Sequence, residues 1–223
     1  MNKNQLETNQ CYVASLDLLG VKSLILNDSS NKHLNHIHNI YTSWEKIRKS
    51  DNYFGNVKVK IFSDNIVIAV DSSISDGLEI LLEYVSDMAE HFLECNYKIR
   101  GGISKGSFYV DDIMVWGAGL VNAYLLESEN AVVPRVLIDN SLLENITKRT
   151  RDYLIVQDKD GQFYLNYLRY YGKNRSGYLK TIYSAKKNLE LEYQSNLNIK
   201  IIQKLDWFKN YLDSEERYWN TQK

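Results

Sequence analysis

Apolar and polar positions switch between two periods along the chain. Residues about 11–17 are a nearly continuous apolar run that predicts a buried strand. Between Lys32 and Lys49, apolar residues at Leu34, Ile37, Tyr41, Trp44 and Ile47 recur at intervals of three and four and predict a helix. Residues 57–63 and 66–70 predict two strands joined at Asp64-Asn65, a dipeptide that tolerates positive φ and suits a tight hairpin. A second amphipathic helix begins near Ser75 or Asp76, with Leu78, Leu81, Leu82, Val85, Met88, Ala89 and Phe92 on one face. Residues 97–104 and 107–110 read as another hairpin, around Lys105-Gly106. Residues 116–129 then fit a helix, and 135–139 a short strand after Pro134, the only proline.

The order β-α-β-β-α-β predicts an α+β fold with a ferredoxin-like core, an antiparallel sheet carrying helices on one face. In that topology the first strand neighbours the central hairpin, so Asp17, at the end of the first apolar run, and Asp64, in the hairpin, are expected to meet. Beyond residue 140 the pattern predicts a hairpin of 153–156 with 162–168 and a loop at 171–177. Helical segments follow, the last carrying Ile201, Ile202, Leu205, Phe208 and Leu212. With no repeat, low-complexity tract or clear linker, the expectation is one domain over residues 1–223, with its core at about 11–139 and a C-terminal extension at about 140–223.

Composition narrows the class. A chain of 223 residues, 44% apolar and 25% charged, can bury a substantial core. Its formal net charge of −1 supplies no basic field for nucleic acid or an anionic membrane. Cys11 and Cys95 make no disulfide framework and fit no zinc pattern; the N-terminus is polar, and no apolar run reaches bilayer length. A cytoplasmic protein is expected.

Two carboxylates at adjoining strand ends can hold divalent cations against a triphosphate, the arrangement of two-metal phosphoryl and nucleotidyl transfer. Asp17 can alternatively cap the next helix, and Asp64 can be a plain turn residue. The backbone N–H groups of Leu18, Leu19, Gly20 and Val21 can line an anion-binding turn, with Gly20 allowing close approach. Arg100-Gly101-Gly102-Ile103 places an arginine beside two glycines of a bulge or close approach; it faces either a phosphate or a subunit partner, or lies exposed on a weak hairpin. Gly117 and Gly119 lead into a helix whose first N–H groups can meet an anion. Arg135 contacts phosphate or, the favoured reading, pairs with Glu127 or Glu129. His33, His36 and His38 lack a helical carboxylate partner and read as a solvated face.

In this order and spacing the segments resemble the class III nucleotide cyclases, the adenylate and guanylate cyclase superfamily, over roughly residues 11–139. Ser15-Leu16-Asp17-Leu18-Leu19-Gly20 is similar to the family's first metal motif, and Lys60-Ile61-Phe62-Ser63-Asp64 to its Lys-x-x-Gly-Asp segment. Arg100-Gly101-Gly102-Ile103 with Gly106 resembles its Arg-x-Gly-Ile segment, and Trp116-Gly117 with Val121-Asn122 its Trp-Gly-x-x-Val-Asn segment. Phe62-Ser63-Asp64-Asn65, Ala123-Tyr124-x-x-Glu127 and Pro134-Arg135 add a similarity to the short bacterial pyrimidine cyclases of Pycsar anti-phage defence. Departures from adenylate cyclases point the same way. The adenine-reading aspartate becomes Met114, the transition-state arginine becomes Leu125, and the asparagine position falls on Val121, one residue before Asn122. Lys60 matches the base-reading lysine.

The resemblance implies that Asp17, Asp64 and the Leu18 carbonyl bind two Mg²⁺ or Mn²⁺ ions. One ion would promote the 3′-hydroxyl and the other hold the triphosphate, with release of pyrophosphate. It also implies a head-to-tail homodimer with sites at the interface, Lys60 and Met114 near the base, and Arg100, Asn122 or Arg135 serving from the partner chain. Arg100 or Arg135 would replace the missing arginine, a donor whose loss can cost several kcal/mol. The expected activity is conversion of CTP or UTP to the 3′,5′-cyclic nucleotide, sensed by a separate effector protein. A purine cyclase and a non-catalytic nucleotide-sensing dimerisation module are the alternatives.

Overall fold

The computed structural model describes residues 6–50, 52, 54–170, 174–195 and 198–222. The chain runs β1 (Asn9–Leu19), α1 (Val21–Leu26), α2 (Lys32–Arg48), β2 (Val57–Phe62), β3 (Asn65–Asp71), α3 (Gly77–Glu94) and β4 (Lys98–Val110). It continues through β5 (Val115–Trp116), α4 (Ala118–Leu125), a π-helical turn (Leu126–Asn130), β6 (Val136–Ile138) and α5 (Lys148–Leu154). The chain ends with β7 (Ile155–Gln157), β8 (Phe163–Leu165), α6 (Arg175–Ser195) and α7 (Ile199–Thr221).

The sheet has the order β2-β3-β1-β4-β6-β8-β7, with β5 pairing on β4. Its first four strands are antiparallel neighbours, the ferredoxin-like order expected from the sequence. β6 adds to β4 in parallel through the α4 crossover, and β8 and β7 extend the edge.

Both faces of the sheet are covered, which explains the continuous apolar run of β1. On one face Tyr12, Ala14, Leu16 and Leu18 join the main core with Ile40 and Trp44 of α2 and a broad stripe of α3, including Leu78, Leu81, Val85, Met88 and Phe92. On the other, Cys11, Val13, Val67, Ala69 and Phe108 pack with Val110, Val115 and Leu120. The core helices α2 and α3 thus share one face as expected, while α4 covers the opposite face. Strand residues enclosed on two sides have no reason to alternate.

Three local expectations are corrected. β4 does not turn at Lys105-Gly106 but runs on to Val110, and its hairpin partner is β5. The turn falls at 111–114, where the Asp111 carboxylate accepts from the backbone N–H of Ile113 and of Met114, both at 2.8 Å. Gly106 is there for the helix: a Cβ on it would lie 2.7 Å from the Gly119 nitrogen of α4. Leu34 and Ile47 of α2 are mostly exposed, because the face toward the core is narrower than the periodic pattern and centres on Ile40 and Trp44. Of the expected loop at 171–177, residues 171–173 lie outside the described residues, and α6 already begins at Arg175.

The C-terminal elements close the main core. Tyr178, Ile182 and Leu189 of α6 and Leu205, Phe208, Leu212 and Trp219 of α7 belong to it. Asn198 caps α7, its side chain accepting from Lys200 N–H at 2.9 Å.

Candidate active site

The site lies at the strand ends on the α4 face. Asp17 stands opposite Asn65 of β3 and Arg100 of β4. Directly opposed residues project from the same face, so these three side chains converge. Asp64 sits next door in the two-residue turn between β2 and β3, where Ser63 takes a positive φ of 58°. The positive φ that Asp64-Asn65 would tolerate falls instead one residue earlier, at Ser63. The Leu18 N–H donates to the Asp64 carbonyl at 3.0 Å, carrying the β1–β3 ladder past Asn65 and fastening the turn to the end of β1. Asn65 Nδ2 then donates to Asp64 Oδ1 at 3.2 Å.

Arg100 links this pair to the interior. Its Nε donates to Asp17 Oδ2 at 2.7 Å, and its Nη2 lies 3.0 Å from Glu127 Oε1. Glu127 is only 2% exposed and belongs to the π-helical turn after α4. Burial raises the pKa of its carboxyl; the Arg100 charge opposes that shift and the Asp17 charge adds to it. Gly102 makes the approach possible. A Cβ there would stand 2.3 Å from the Ala123 carbonyl oxygen and 3.0 Å from the Glu127 nitrogen. The sequence presents Glu127 as a member of the Ala123-Tyr124-x-x-Glu127 segment and as a partner for Arg135, not for Arg100. The signal that finds it is a glycine in the middle of a buried strand, which marks where another backbone presses in.

Gly20 follows at φ 81° as the residue before α1, with nothing within 4 Å of a Cβ built on it. Its requirement is therefore the left-handed backbone, which favours glycine. Val21 and Leu18 are buried, Leu19 half-buried. Lys60 projects on the same face as Asp17, since it pairs with Val67 of β3, and its Nζ lies 3.7 Å from Asp112. The β4–β5 hairpin leans over the sheet to reach it, and Tyr41, Lys58, Lys60, Asp111 and Asp112 line a cavity of about 350 Å³. Met114 lies in that hairpin turn and is exposed. Backbone N–H groups, the Met114 one first, hold the Asp111 carboxyl below its usual range.

Two other candidates stand apart. Asn122 is exposed on α4, beside Val121, Tyr124 and Leu125. Arg135 is 4% exposed and faces the β7–β8 turn, pairing with Asp158 and, at 2.5 Å, with Asp160, while its Nη2 donates to the Asn130 carbonyl at 3.3 Å. The favoured pairing with Glu127 or Glu129 is thereby corrected; its partners lie in a turn more than twenty residues away, beyond the reach of a local reading. Of the histidines, His36 is exposed against Tyr97, with ring centroids 5.7 Å apart.

The donor chemistry suits a hard divalent cation shared with a ligand. Among the described residues no group of three or more His, Cys, Asp and Glu could hold a metal by itself. Asp17 and Asp64, with the Leu18 carbonyl, are all oxygen donors, and magnesium or manganese bound beside substrate phosphates needs only one or two protein carboxylates.

The fold is that of nucleotide cyclase catalytic domains. The chain superposes on the dimeric guanylyl cyclase domain of the RhoGC fusion protein from the aquatic fungus Blastocladiella emersonii with a TM-score of 0.54 and 12% identity, covering 72% of this chain and 98% of that one. The catalytic core of a rhodopsin-guanylyl cyclase with converted specificity, in complex with ATPαS, gives 0.53 and 13%, covering 72% and 96%. The adenylyl cyclase CyaB from P. aeruginosa gives 0.52 and 19%, covering 72% and 95%. No family model matches the chain, and no curated protein matches it significantly in sequence. Among the described residues no helix is long and apolar enough to cross a membrane.

Proposed function

We propose that this chain is a metal-dependent nucleotide cyclase that closes CTP or UTP to the 3′,5′-cyclic nucleotide and releases pyrophosphate. The observation that carries the reading is the meeting of Asp17 and Asp64 at adjoining strand ends, held by the Leu18 N–H bond to the Asp64 carbonyl, within a cyclase fold. Asp17, Asp64 and the Leu18 carbonyl hold Mg²⁺ or Mn²⁺. Such ions, when bound, supply charge for the triphosphate and acidity for the 3′-hydroxyl. The residues of the chain fix the reactants: the 3′-oxygen, its proton passed to solvent, is aligned with the α-phosphorus, the new P–O bond forms as the bond to the bridging oxygen breaks, and pyrophosphate departs. Leu19, Gly20 and Val21 lie beside the phosphates, and Arg100 supports the charge that develops there.

Base choice rests on the β4–β5 hairpin. Lys60 and Met114 border that turn, and a thioether gives a purine edge no hydrogen-bond acceptor of the carboxylate kind. A homodimer accounts for the exposed apolar strip of Trp116, Val121, Tyr124 and Leu125, and in it Asn122 would reach the partner's nucleotide. The product serves as a messenger for a separate effector in anti-phage defence, made in the cytoplasm.

Incubation of the purified protein with each of the four triphosphates and Mn²⁺, followed by chromatography, tests this. Cyclic CMP or cyclic UMP is expected. A purine product alone moves the reading to a purine cyclase, and no cyclic product from any of the four sinks it. One observation favours a non-catalytic nucleotide sensor: Leu125 offers hydrocarbon where an arginine is expected, and Arg100 is already engaged by two carboxylates. Calorimetry showing triphosphate binding without turnover decides for that alternative.

A further inference from the structure

We propose that Glu127 is a positioning residue that neutralises Arg100 and so leaves Asp17 its charge for a cation. The inference rests on the two-carboxylate site proposed above and goes beyond it, since that reading gives Glu127 no role.

The geometry is a line of three charges. Arg100 is pinned between Asp17, at 2.7 Å, and Glu127, at 3.0 Å. A guanidinium pressed against a metal-binding carboxylate is a competitor: it supplies the positive charge that the cation would otherwise bring. With Glu127 on its far side, Arg100 is shared, and the four groups Asp17, Asp64, Arg100 and Glu127 carry a net −2. Glu127 is buried, so solvent screens its charge poorly. Its Oε1 accepts no aligned hydrogen bond among the described residues despite the short ion pair, so its main interaction with Arg100 is electrostatic. Three features hold it there. α4 lies tight on β4 because Gly102 lacks a side chain. Ser104 Oγ donates to the Gly119 carbonyl at 2.7 Å. The five-residue π-helical turn rotates Glu127 inward while Ser128 and Glu129, which follow it in the same turn, stay exposed. π-turns of this kind often mark functional sites.

Charge counting separates this role from a structural one. Glu127→Gln leaves the site at net −1, with Arg100 attending to Asp17 alone. The pair Arg100→Gln with Glu127→Gln returns it to −2 with no competitor. Mn²⁺ binding to the nucleotide-free protein, measured by calorimetry near neutral pH, is expected to weaken about tenfold in Glu127→Gln. It is expected to return to within about twofold of the parent in the pair variant. Turnover of Glu127→Gln should fall while its KM for triphosphate changes little, and subsaturating turnover should recover when Mn²⁺ is raised.

A purely structural Glu127 predicts a pair variant no better than the single one, and that result overturns the proposal. So does a folded Glu127→Gln that binds Mn²⁺ like the parent. If the single variant does not fold, the pair variant decides: removing both members of a buried ion pair is milder than removing one, and Mn²⁺ binding below the parent's by tenfold overturns the proposal. Should the parent bind Mn²⁺ no better than Asp17→Asn, the two-carboxylate site fails and Glu127 falls with it. Loss of sensitivity to Glu127 alone sinks only this inference.

Discussion

Two clusters of charge in this molecule are built on opposite plans. At the ends of β1, β3 and β4, one arginine serves Asp17 and Glu127 with Asp64 alongside, an excess of negative charge in a partly open place. Beneath the C-terminal helices, Arg169 meets Glu215 with two nitrogens, at 2.7 and 3.0 Å. Asn166 Nδ2 donates to the same carboxylate at 2.9 Å, and Arg169 lies 4.0 Å over the ring of Tyr218. That second cluster is neutral and saturated, and Glu215 is 2% exposed. The charge of the second cluster is matched within the chain, whereas that of the first is left in surplus, which the proposed binding of a cation would offset.

The comparison breaks most visibly at Asp17 and Asp64. Asp17→Asn and Asp64→Asn are each expected to cut product formation by about a thousandfold, the scale lost with a key charge-stabilising group. Melting should stay within about 2 °C of the parent, because an excess negative charge is being removed. Retained activity in a folded variant would mean that this cluster is structural after all.

Next comes Glu215→Ala, which strands Arg169 in the interior and should cost about 3–5 kcal/mol. That is a fall in melting temperature of about 10 °C by calorimetry, with Mn²⁺ affinity unchanged below the transition. A change in metal affinity would show that the two clusters are not independent.

Gly102→Ala should destabilise by about 1–3 kcal/mol and also lower turnover, since the added methyl meets the Ala123 carbonyl at 2.3 Å and displaces the turn that carries Glu127. Stability loss without any kinetic change would separate the seat of α4 from the chemistry.

The smallest effect concerns acid. Arg135 holds the Asp160 carboxyl below its ordinary value of 3.8, with burial opposing. A pKa lowered by folding contributes stability that is present above the unfolded value and lost as pH falls through the folded one. Denaturant melts from pH 6 downward should therefore show a shallower acid decline in Asp160→Asn; an identical decline would remove Asp160 from the matched set.

How far the sequence could be read follows the range of the interactions. β1, the hairpin at Asp64, the start of α3 at Asp76 and Gly77, and the hydrophobic face of α7 are visible because period and turn chemistry are local, although the Asp76 side chain makes no capping bond. The nearness of Asp17 and Asp64 followed from element order. The length of β4 was hidden because Gly106 has the look of a turn, and its cause lies across space at Gly119. Asp111, whose carboxylate makes the true turn, gave only an ordinary local signal. Glu127 and Arg135 were misread for one reason: each is bound by residues that pattern cannot bring near, Arg100 for the first and Asp158 and Asp160 for the second.

The ties of Arg135 also set an order of events in synthesis. Its nitrogen holds the Asn130 carbonyl at the end of the π-helical turn, its carboxylate partners arrive with residues 158 and 160, and Asp158 is in turn held by the Trp207 indole N–H at 2.7 Å. Chains emerge from the N-terminus first. Asp17, Asp64, Arg100 and Glu127 are therefore all outside the ribosome well before the last helix can lock the turn beneath them. A nascent chain carries every residue of the site for many seconds while lacking the brace that fixes its shape.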